Sequence, residues 1–530
     1  MHPLHFLPLV MLASVKASSD DDETCRRGDT SCLWIWHGPW PYQIPPNPQI
    51  GDVFCRPSDQ KNYEIVTWTQ DSTHELLCSD TPESSPLYPG GDCCNMTVRV
   101  GAGAGVPCPR IPAPENDVRG ATVFLQHPHQ AVNLYLNLNP LSSATSSSEM
   151  SSTTPVTASV LHGAGDLRLE QRPLSPPSPD EVQVAIRSTG LCGSDLHYFK
   201  HFRNGDIAVR EPLTLGHESS GRVVAVGADV SAFTVGDNVA LEVGVPCDSC
   251  GYCLEGRYNI CRGMRFRSSA KAFPHAQGTL QARINHPAKW CHRLPEGVSF
   301  DLGAVAEPLS VAVHACDRAS LAEGSSVLVL GAGAVGLLAA AVSKATGAGP
   351  VVIADIQKER VDFAVAQGYA DSGFVVPMAR PESIDEKLAF ARDTADQISA
   401  VEVSGKPLGE VSAVYECTGV ESCFQTAIYA TKPGGKVLII GMGTPVMTLP
   451  ISAAALREVD LVGVFRYANS YAKAIELLSR PPAAMPDLRT LVTHRFKGME
   501  MIEDAFAMAG KVKDGDGRLV LKVVVDMDES

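Results

Sequence analysis

The feature that most restricts this chain is the apolar run Ser326–Leu330, which passes directly into Gly331-Ala332-Gly333-Ala334-Val335-Gly336 and then into an Ala- and Leu-rich helical stretch. Strand, glycine turn and helix in that order open a parallel α/β unit. Gly331 permits the turn, Gly333 lets the backbone approach a pyrophosphate, and Gly336 lets the helix pack close to the strand. The helix N-terminus offers free N–H groups and a partial positive charge to phosphates. A second apolar strand, Val351–Ala354, ends in Asp355, about twenty residues beyond the turn, as a dinucleotide site requires. Asp355 would accept hydrogen bonds from ribose hydroxyls and repel a 2′-phosphate, which favours NAD over NADP. Arg360 is the opposing signal, because a guanidinium accommodates that phosphate. Three glycines alone make only a tight turn; their placement between strand and helix, with the acidic residue following, argues for the cofactor.

Metal is written into the same half of the chain. Cys247, Cys250, Cys253 and Cys261 offer four thiolates within fifteen positions. Thiolates at such finger-like spacing suit a tetrahedral Zn²⁺, and four protein ligands leave no open position, so the site is structural. Two short disulfides are the competing reading, but loops this small strain them. A dispersed set follows a different logic: Cys192-Gly193-Ser194-Asp195-Leu196-His197, Gly216-His217-Glu218 and Ala306-Glu307-Pro308. Taken singly these are a buried thiol, a turn histidine and a surface acid. Together they supply one sulfur, one imidazole and one carboxylate with another in reserve, the three-ligand pattern of a catalytic zinc. Asp195 reads as a group that orients a ligand or its loop.

The segments around these motifs divide the chain. Short β-branched strands such as Val182–Ile186 and Gly221–Gly227 predict a strand-rich barrel over residues 155–309, rejoined by residues 465–530, around a parallel α/β domain at 310–464. Upstream the character changes. Residues 1–17 carry an apolar stretch, Phe6–Ala13, then Val15-Lys16-Ala17, like a secretory signal, although its leading segment holds only His2 and His5. Residues 18–110 hold seven of the 16 cysteines amid Pro and Trp, plus a glycosylation sequon at Asn95; a small disulfide-held module with one unpaired cysteine is expected. Residues 111–154 are Ser/Thr-rich linker. These two redox characters conflict. Met1–Glu149 is therefore expected to be either a fused secreted module or a neighbouring reading frame joined by mistake, with Met150 opening a cytosolic chain.

Bulk properties exclude some functions. A net charge of -15 argues against nucleic acid, and no run reaches the roughly 18 apolar residues of a membrane span.

With these motifs in place, residues 155–530 resemble the zinc-containing medium-chain dehydrogenases, specifically the sorbitol, xylitol and L-arabinitol (polyol) dehydrogenase group, with fungal members nearest. The resemblance rests on Cys-Gly-Ser-Asp-Leu-His-Tyr at 192–198, Gly-His-Glu at 216–218, the four-cysteine lobe, Glu-Pro-Leu-Ser-Val-Ala at 307–312 and Val-Phe-Arg-Tyr at 464–467. It implies an α/β chain with a Rossmann coenzyme domain and a GroES-like β-rich catalytic domain; the N-terminal Cys-rich segment lies outside the family pattern. It further implies that Cys192, His217 and Glu218 hold catalytic zinc, with Glu307 at the metal's remaining ligand and the substrate. Tyr198, Arg466 and Tyr467 would contact a small polyol, while Val464, Phe465 and Arg466 line the nicotinamide and Val335 belongs to the glycine turn. Ser194 would pass a proton outward, and His197 would continue that relay unless it is simply an exposed histidine. A homo-oligomer, a tetramer by resemblance, is expected. Two alternatives stand beside this reading: a zinc dehydrogenase for another secondary alcohol of threonine or butanediol type, and a secreted binding protein whose dehydrogenase part is inert. Two zincs per chain favour an enzyme over the inert form.

Overall fold

The computed structural model describes residues 153–527, together with the backbone of five strands upstream. The signal-like segment, the cysteine pairing of the upstream module, the sequon at Asn95 and nearly all of the linker lie outside the described residues. The five upstream strands, Val53–Pro57, Tyr63–Trp68, Thr73–Cys78, Met96–Arg99 and Gly105–Pro107, form an antiparallel sheet in sequence order. This unit is separate from the one that follows.

In the larger unit, the expected barrel takes shape from long strands with one buried face. Glu181–Gly190 is the pivot: it pairs with Glu218–Val226, with Arg283–Pro287 and with Lys522–Asp526. The sheet extends through Asn238–Leu241 to Cys291–Arg293 on one side and through Val492–Lys497 on the other. Two glycines make the close approaches possible. A Cβ on Gly221 would lie 2.2 Å from the Ala185 carbonyl oxygen, and one on Gly278 would lie 2.2 Å from that of Leu215. Leu161, Ile186, Leu213, Leu241 and Phe506 pack in the interior.

The second domain is a parallel sheet ordered Ser372–Val375, Val351–Asp355, Val327–Leu330, Val411–Glu416, Thr431–Ile439, Asp460–Gly463. Its central strands are fully buried runs, as a sheet covered on both faces demands. Strand order reverses between the neighbours of Val327–Leu330, and ligands bind at that crevice outside the strands' carboxyl ends.

Four helices set the geometry that matters. Helix α1 (Gly193–His201) starts at Cys192, whose N–H donates to Asp195 Oδ2 at 3.2 Å. Helix α2 (Phe300–Ala319) is capped by Ser299 and carries Glu307 and Pro308 in its buried middle. Pro308 has no N–H for the Ala304 carbonyl. Helix α3 (Ala334–Ala345) leaves the glycine turn. Helix α4 (Tyr471–Ser479) joins the halves: Tyr471 and Ile475 pack in the barrel core, Ala474 and Leu477 under the parallel sheet. Among the described residues no helix is long and apolar enough to cross a membrane.

Candidate active site and metal centres

The glycine turn is built as its spacing implies. Gly331 has φ 100°, the left-handed region open to glycine. A Cβ on Gly336 would fall 1.8 Å from the Gly331 carbonyl oxygen, whereas a Cβ on Gly333 would meet only Arg360 Nη1, at 3.9 Å. Gly336 therefore serves the fold, and Gly333 leaves open space in front of the helix. Asp355 sits at the strand end, accepting from the N–H groups of Ala332 (2.7 Å) and Gln357 (2.8 Å), and each oxygen keeps lone-pair capacity for a ribose. Arg360 reaches back to the turn, and among the described residues its buried Nε has no hydrogen-bond partner. A buried, unsatisfied guanidinium donor beside an open glycine cradle fits an anionic dinucleotide. Val335 is half-buried in the first turn of α3.

The four cysteines come together in a loop, with Sγ–Sγ separations of 3.4 Å (Cys247–Cys261), 3.5 Å (Cys250–Cys253) and 3.9 Å (Cys247–Cys253). Tetrahedral thiolates with metal–sulfur bonds of ~2.3 Å sit about 3.8 Å apart, so the set fits zinc. The electrostatics agree. Backbone and hydroxyl donors of Ser249, joined by the Cys250 N–H, bring Cys247 down to about 6, while burial and the neighbouring sulfurs push Cys253 up to about 12. Sulfurs this close ionise together only around a cation.

The dispersed constellation also converges. Cys192 from the start of α1, and His217 and Glu218 from the start of one strand, offer donor atoms all within 4.8 Å of one another. Asp195, completely buried, explains how they are held. Its Oδ1 accepts from the Gly216 N–H (3.2 Å), His217 Nδ1 (3.2 Å) and Ser268 Oγ (2.7 Å), and its Oδ2 from the Cys192 N–H. Burial opposes the Asp195 charge, but His217 and these donors outweigh it and keep the carboxyl below its usual range. Burial opposes a charge on His217, but Asp195 and Cys192 raise its pKa well above the usual value; with Asp195 ionised, the proton between the two stays on Nδ1, which leaves Nε2 as the nitrogen for a metal.

Glu218 is gripped from the far end of the chain. Lys522, buried on Lys522–Asp526, donates to both its oxygens (2.8 and 2.6 Å) and to the Leu191 carbonyl (3.1 Å). Burial opposes the Lys522 charge, yet Glu218, Cys192 and Glu307 raise its pKa above the usual value. Glu307 stands outside the tight donor cluster but within its field. Burial first, then the Glu218 charge, against the pull of His217, Lys522 and Arg466, pushes it up to about 7. The converging donor atoms of Cys192, His217 and Glu218, a thiol, an imidazole and a carboxylate with a second carboxylate close by, fit a divalent cation.

Arg466 adopts φ 52° and lays its guanidinium 3.6 Å from the Phe266 ring centroid. Burial is the main cause of its pKa falling to about 10. Tyr467 is buried, and among the described residues its hydroxyl meets no hydrogen-bond partner. Tyr198 is buried too, but its oxygen already accepts from the Ala270 N–H at 3.2 Å. Val464 is half-buried, and Phe465 is 40% exposed rather than part of the core. Ser194 is half-buried, and His197 is exposed, its ring 6.0 Å from that of His201. Sequence reasoning missed Lys522, Ser268 and Phe266. Lys522 carried a signal, being the lone charge inside the apolar run Leu519–Val525; the other two carried none.

Comparison with known proteins agrees with this geometry. Residues 178–296 match the family described as "Alcohol dehydrogenase GroES-like domain", and residues 334–480 that described as "Zinc-binding dehydrogenase". Sorbitol dehydrogenase of Gallus gallus is 40% identical over 366 residues, covering 69% of this chain and 96% of the relative. The Homo sapiens sorbitol dehydrogenase is 39% identical over 371 residues, covering 70% and 96%. Among solved structures, L-idonate 5-dehydrogenase from Escherichia coli superposes with a TM-score of 0.60 at 26% identity, covering 71% of this chain and 99% of that one. With a GroES-like domain, a Rossmann domain, a Cys/His/Glu zinc cluster and relatives matched over nearly their whole length, this chain is a member of the zinc-binding medium-chain dehydrogenase family, related to the sorbitol dehydrogenases.

Proposed function

We propose that the chain oxidises a secondary hydroxyl of a small polyol, of the sorbitol, xylitol or arabinitol type, to the ketose, with hydride passing to NAD. The observation that carries this reading is the convergence of Cys192, His217 and Glu218, with Glu307 in their field and the unpartnered hydroxyl of Tyr467 buried in the same domain. Cys192, His217 and Glu218 would hold the catalytic zinc, and the four-cysteine loop the structural one. A zinc ion held there supplies a Lewis acid that brings deprotonation of an alcohol within reach of neutral pH.

The chain's own residues do the rest. Asp195 keeps the His217 ring in the ligating tautomer, and Lys522 fixes the Glu218 carboxylate. Glu307, balanced near neutrality, exchanges a hydrogen bond with the reacting hydroxyl. Arg466 and Tyr467 offer donors to neighbouring hydroxyls of the polyol, and Tyr198 backs that wall. Ser194, beside Cys192, takes the released proton outward, and His197 on the exposed face of α1 delivers it to water. On the cofactor side, Gly331, Gly333 and Gly336 with the start of α3 seat the pyrophosphate, Arg360 adds charge at the turn, and Asp355 takes the ribose hydroxyls. Val335, Val464 and Phe465 flank the dinucleotide.

Within this reading the chain is of fungal type within the polyol group, and it works in the cytosol, where NAD is abundant. It forms a homo-oligomer: among the described residues Asp460–Gly463 is an unpaired sheet edge, with Leu461 and nearby Leu456 exposed. Residues 155–309 and 465–530 make the catalytic domain and 310–464 the coenzyme domain. Met1–Glu149 is a secreted-type module or a joined reading frame; N-terminal sequencing of the native protein decides which.

The test is steady-state turnover with sorbitol, xylitol and arabinitol against threonine and butanediol, each with NAD. Polyol turnover that disappears in Cys192→Ser supports the reading. Undiminished turnover in that variant, or preference for threonine or butanediol, removes it.

A further inference from the structure

The four-cysteine loop does more than close on itself. Three hydrogen bonds tie it, or its immediate continuation, to the segment that carries Phe465 and Arg466. Asn259 Nδ2 donates to the Phe465 carbonyl at 2.8 Å, and the Asn469 N–H donates to Tyr258 Oη at 2.7 Å. Asn469 Nδ2 donates to the Gly256 carbonyl at 2.8 Å. Tyr258 is itself anchored, its hydroxyl donating to the buried Glu242 at 2.7 Å, which also takes His292 Nε2 at 2.7 Å.

The segment held this way is one that needs holding. Arg466 and Asn469 both have positive φ, 52° and 58°, a backbone region that non-glycine residues occupy only when their surroundings enforce it. Asparagine tolerates it better than arginine does. Phe465 and Asn469 are exposed while Tyr467 and Ala468 between them are buried, so side-chain packing does not fix the two positions that the loop's hydrogen bonds reach. Gly256, with φ 72°, turns its carbonyl toward Asn469 in the loop between Cys253 and Cys261.

We propose that the four-cysteine loop is a clamp on residues 464–469, and that Tyr258, Asn259 and Asn469 are positioning residues that set the substrate-facing pose of Arg466. This rests on reading Arg466 as a polyol contact. It gives the structural metal loop a function at the reaction centre: closing the loop around its metal places Tyr258, Asn259 and the Gly256 carbonyl, and these place the arginine.

The experiment compares the full-length chain with the double variant Asn259→Ala/Tyr258→Phe and with Asn469→Gly. Glycine accepts the positive φ but loses the bond to Gly256, and it leaves the cysteine loop untouched. Three quantities are measured: KM for sorbitol or xylitol, zinc per chain, and deuterium uptake by peptides spanning 463–470. The expected result is a KM about tenfold higher, faster uptake confined to 463–470, and zinc content unchanged. KM within twofold of the parent, with unchanged uptake in Asn469→Gly, overturns the clamp. Should the double variant lose zinc or fail to fold, Asn469→Gly decides alone. Arg466→Lys separates the two readings: if it leaves polyol KM unchanged, the substrate assignment falls, and deuterium uptake then decides the clamp by itself.

Discussion

Replacing Asp195 by asparagine tests the architecture of the catalytic cluster with almost no change of shape. The carboxylate accepts four hydrogen bonds, three on Oδ1 and one on Oδ2. The amide of Asp195→Asn can keep its oxygen toward Gly216, His217 and Ser268 only by turning its NH₂ group toward the Cys192 N–H, donor against donor. It also withdraws the charge that strengthens the bond to His217 Nδ1. A bond to a charged group contributes about 1.5–3 kcal/mol, and that span corresponds to roughly 10- to 100-fold in an equilibrium constant. Loss of a group that orients a metal-bound histidine carries the same range in metal affinity or activity. Asp195→Asn is therefore expected to fold, to keep the zinc of the four-cysteine loop, and to lose the other zinc to a chelator at concentrations about 10- to 100-fold lower than the parent requires. Zinc per chain after graded chelator dialysis, measured beside NAD-linked turnover, reads this directly. A variant with parental zinc retention and parental turnover would refute the claim that Asp195 governs the His217 tautomer.

Three further outcomes follow from particular contacts. Gly333→Ala should leave thermal stability unchanged yet lower NADH affinity severalfold or more by fluorescence titration, because its Cβ meets nothing closer than Arg360 at 3.9 Å; Gly336→Ala, aimed 1.8 Å from the Gly331 oxygen, should destabilise the domain outright. Lys522→Met leaves the buried Glu218 without its cation, a loss of about 3–5 kcal/mol to be read from denaturant unfolding of zinc-depleted protein; an unchanged midpoint means Glu218 is balanced by another group. His286 is fully buried, with burial first and the Arg267 charge second holding it at about 3. The unfolded chain protonates this ring near its usual 6.5, so its contribution is complete above that pH and is lost as pH falls toward 3, by about 1.4 kcal/mol per pH unit. The unfolding midpoint of the parent should drop more steeply between pH 6 and pH 4 than that of His286→Gln, and parallel curves would contradict the burial of a neutral ring.

Legibility in the sequence followed distance along the chain. The glycine turn and the four-cysteine loop are short-range patterns whose partners lie within one turn or one loop, and the structure assembles both from the residues that spacing nominated. The Cys192–His217–Glu218 set was harder, because its members become neighbours only when Glu218 pairs with Gly190, two residues before Cys192. There the resemblance to known enzymes carried what spacing did not. Lys522 lies 304 residues beyond Glu218, and no local pattern links them. A lysine amid six apolar positions nonetheless states that a buried acid awaits it, since an unpaired ammonium in a core is prohibitively costly.

The need of buried Glu218 for a cation also explains why the chain returns to the barrel after completing the coenzyme domain. Lys522–Asp526 pairs with Glu181–Gly190 at the end next to Leu191, placing Lys522 behind Glu218 and Val523 against the Leu191 N–H. The strand that closes the sheet is thus also the strand that fixes a metal ligand. Residues 464–471 mark the other crossing, where Arg466 and Tyr467 come within the electrostatic reach of Glu307 just as α4 binds both cores together. A chain cut before Val492 would retain all three ligand side chains yet lose the cation that holds Glu218. Such a truncation should bind the catalytic zinc weakly even if its parallel sheet still folds and binds NADH, and tight zinc binding by it would show that the three ligands suffice without the closing strand.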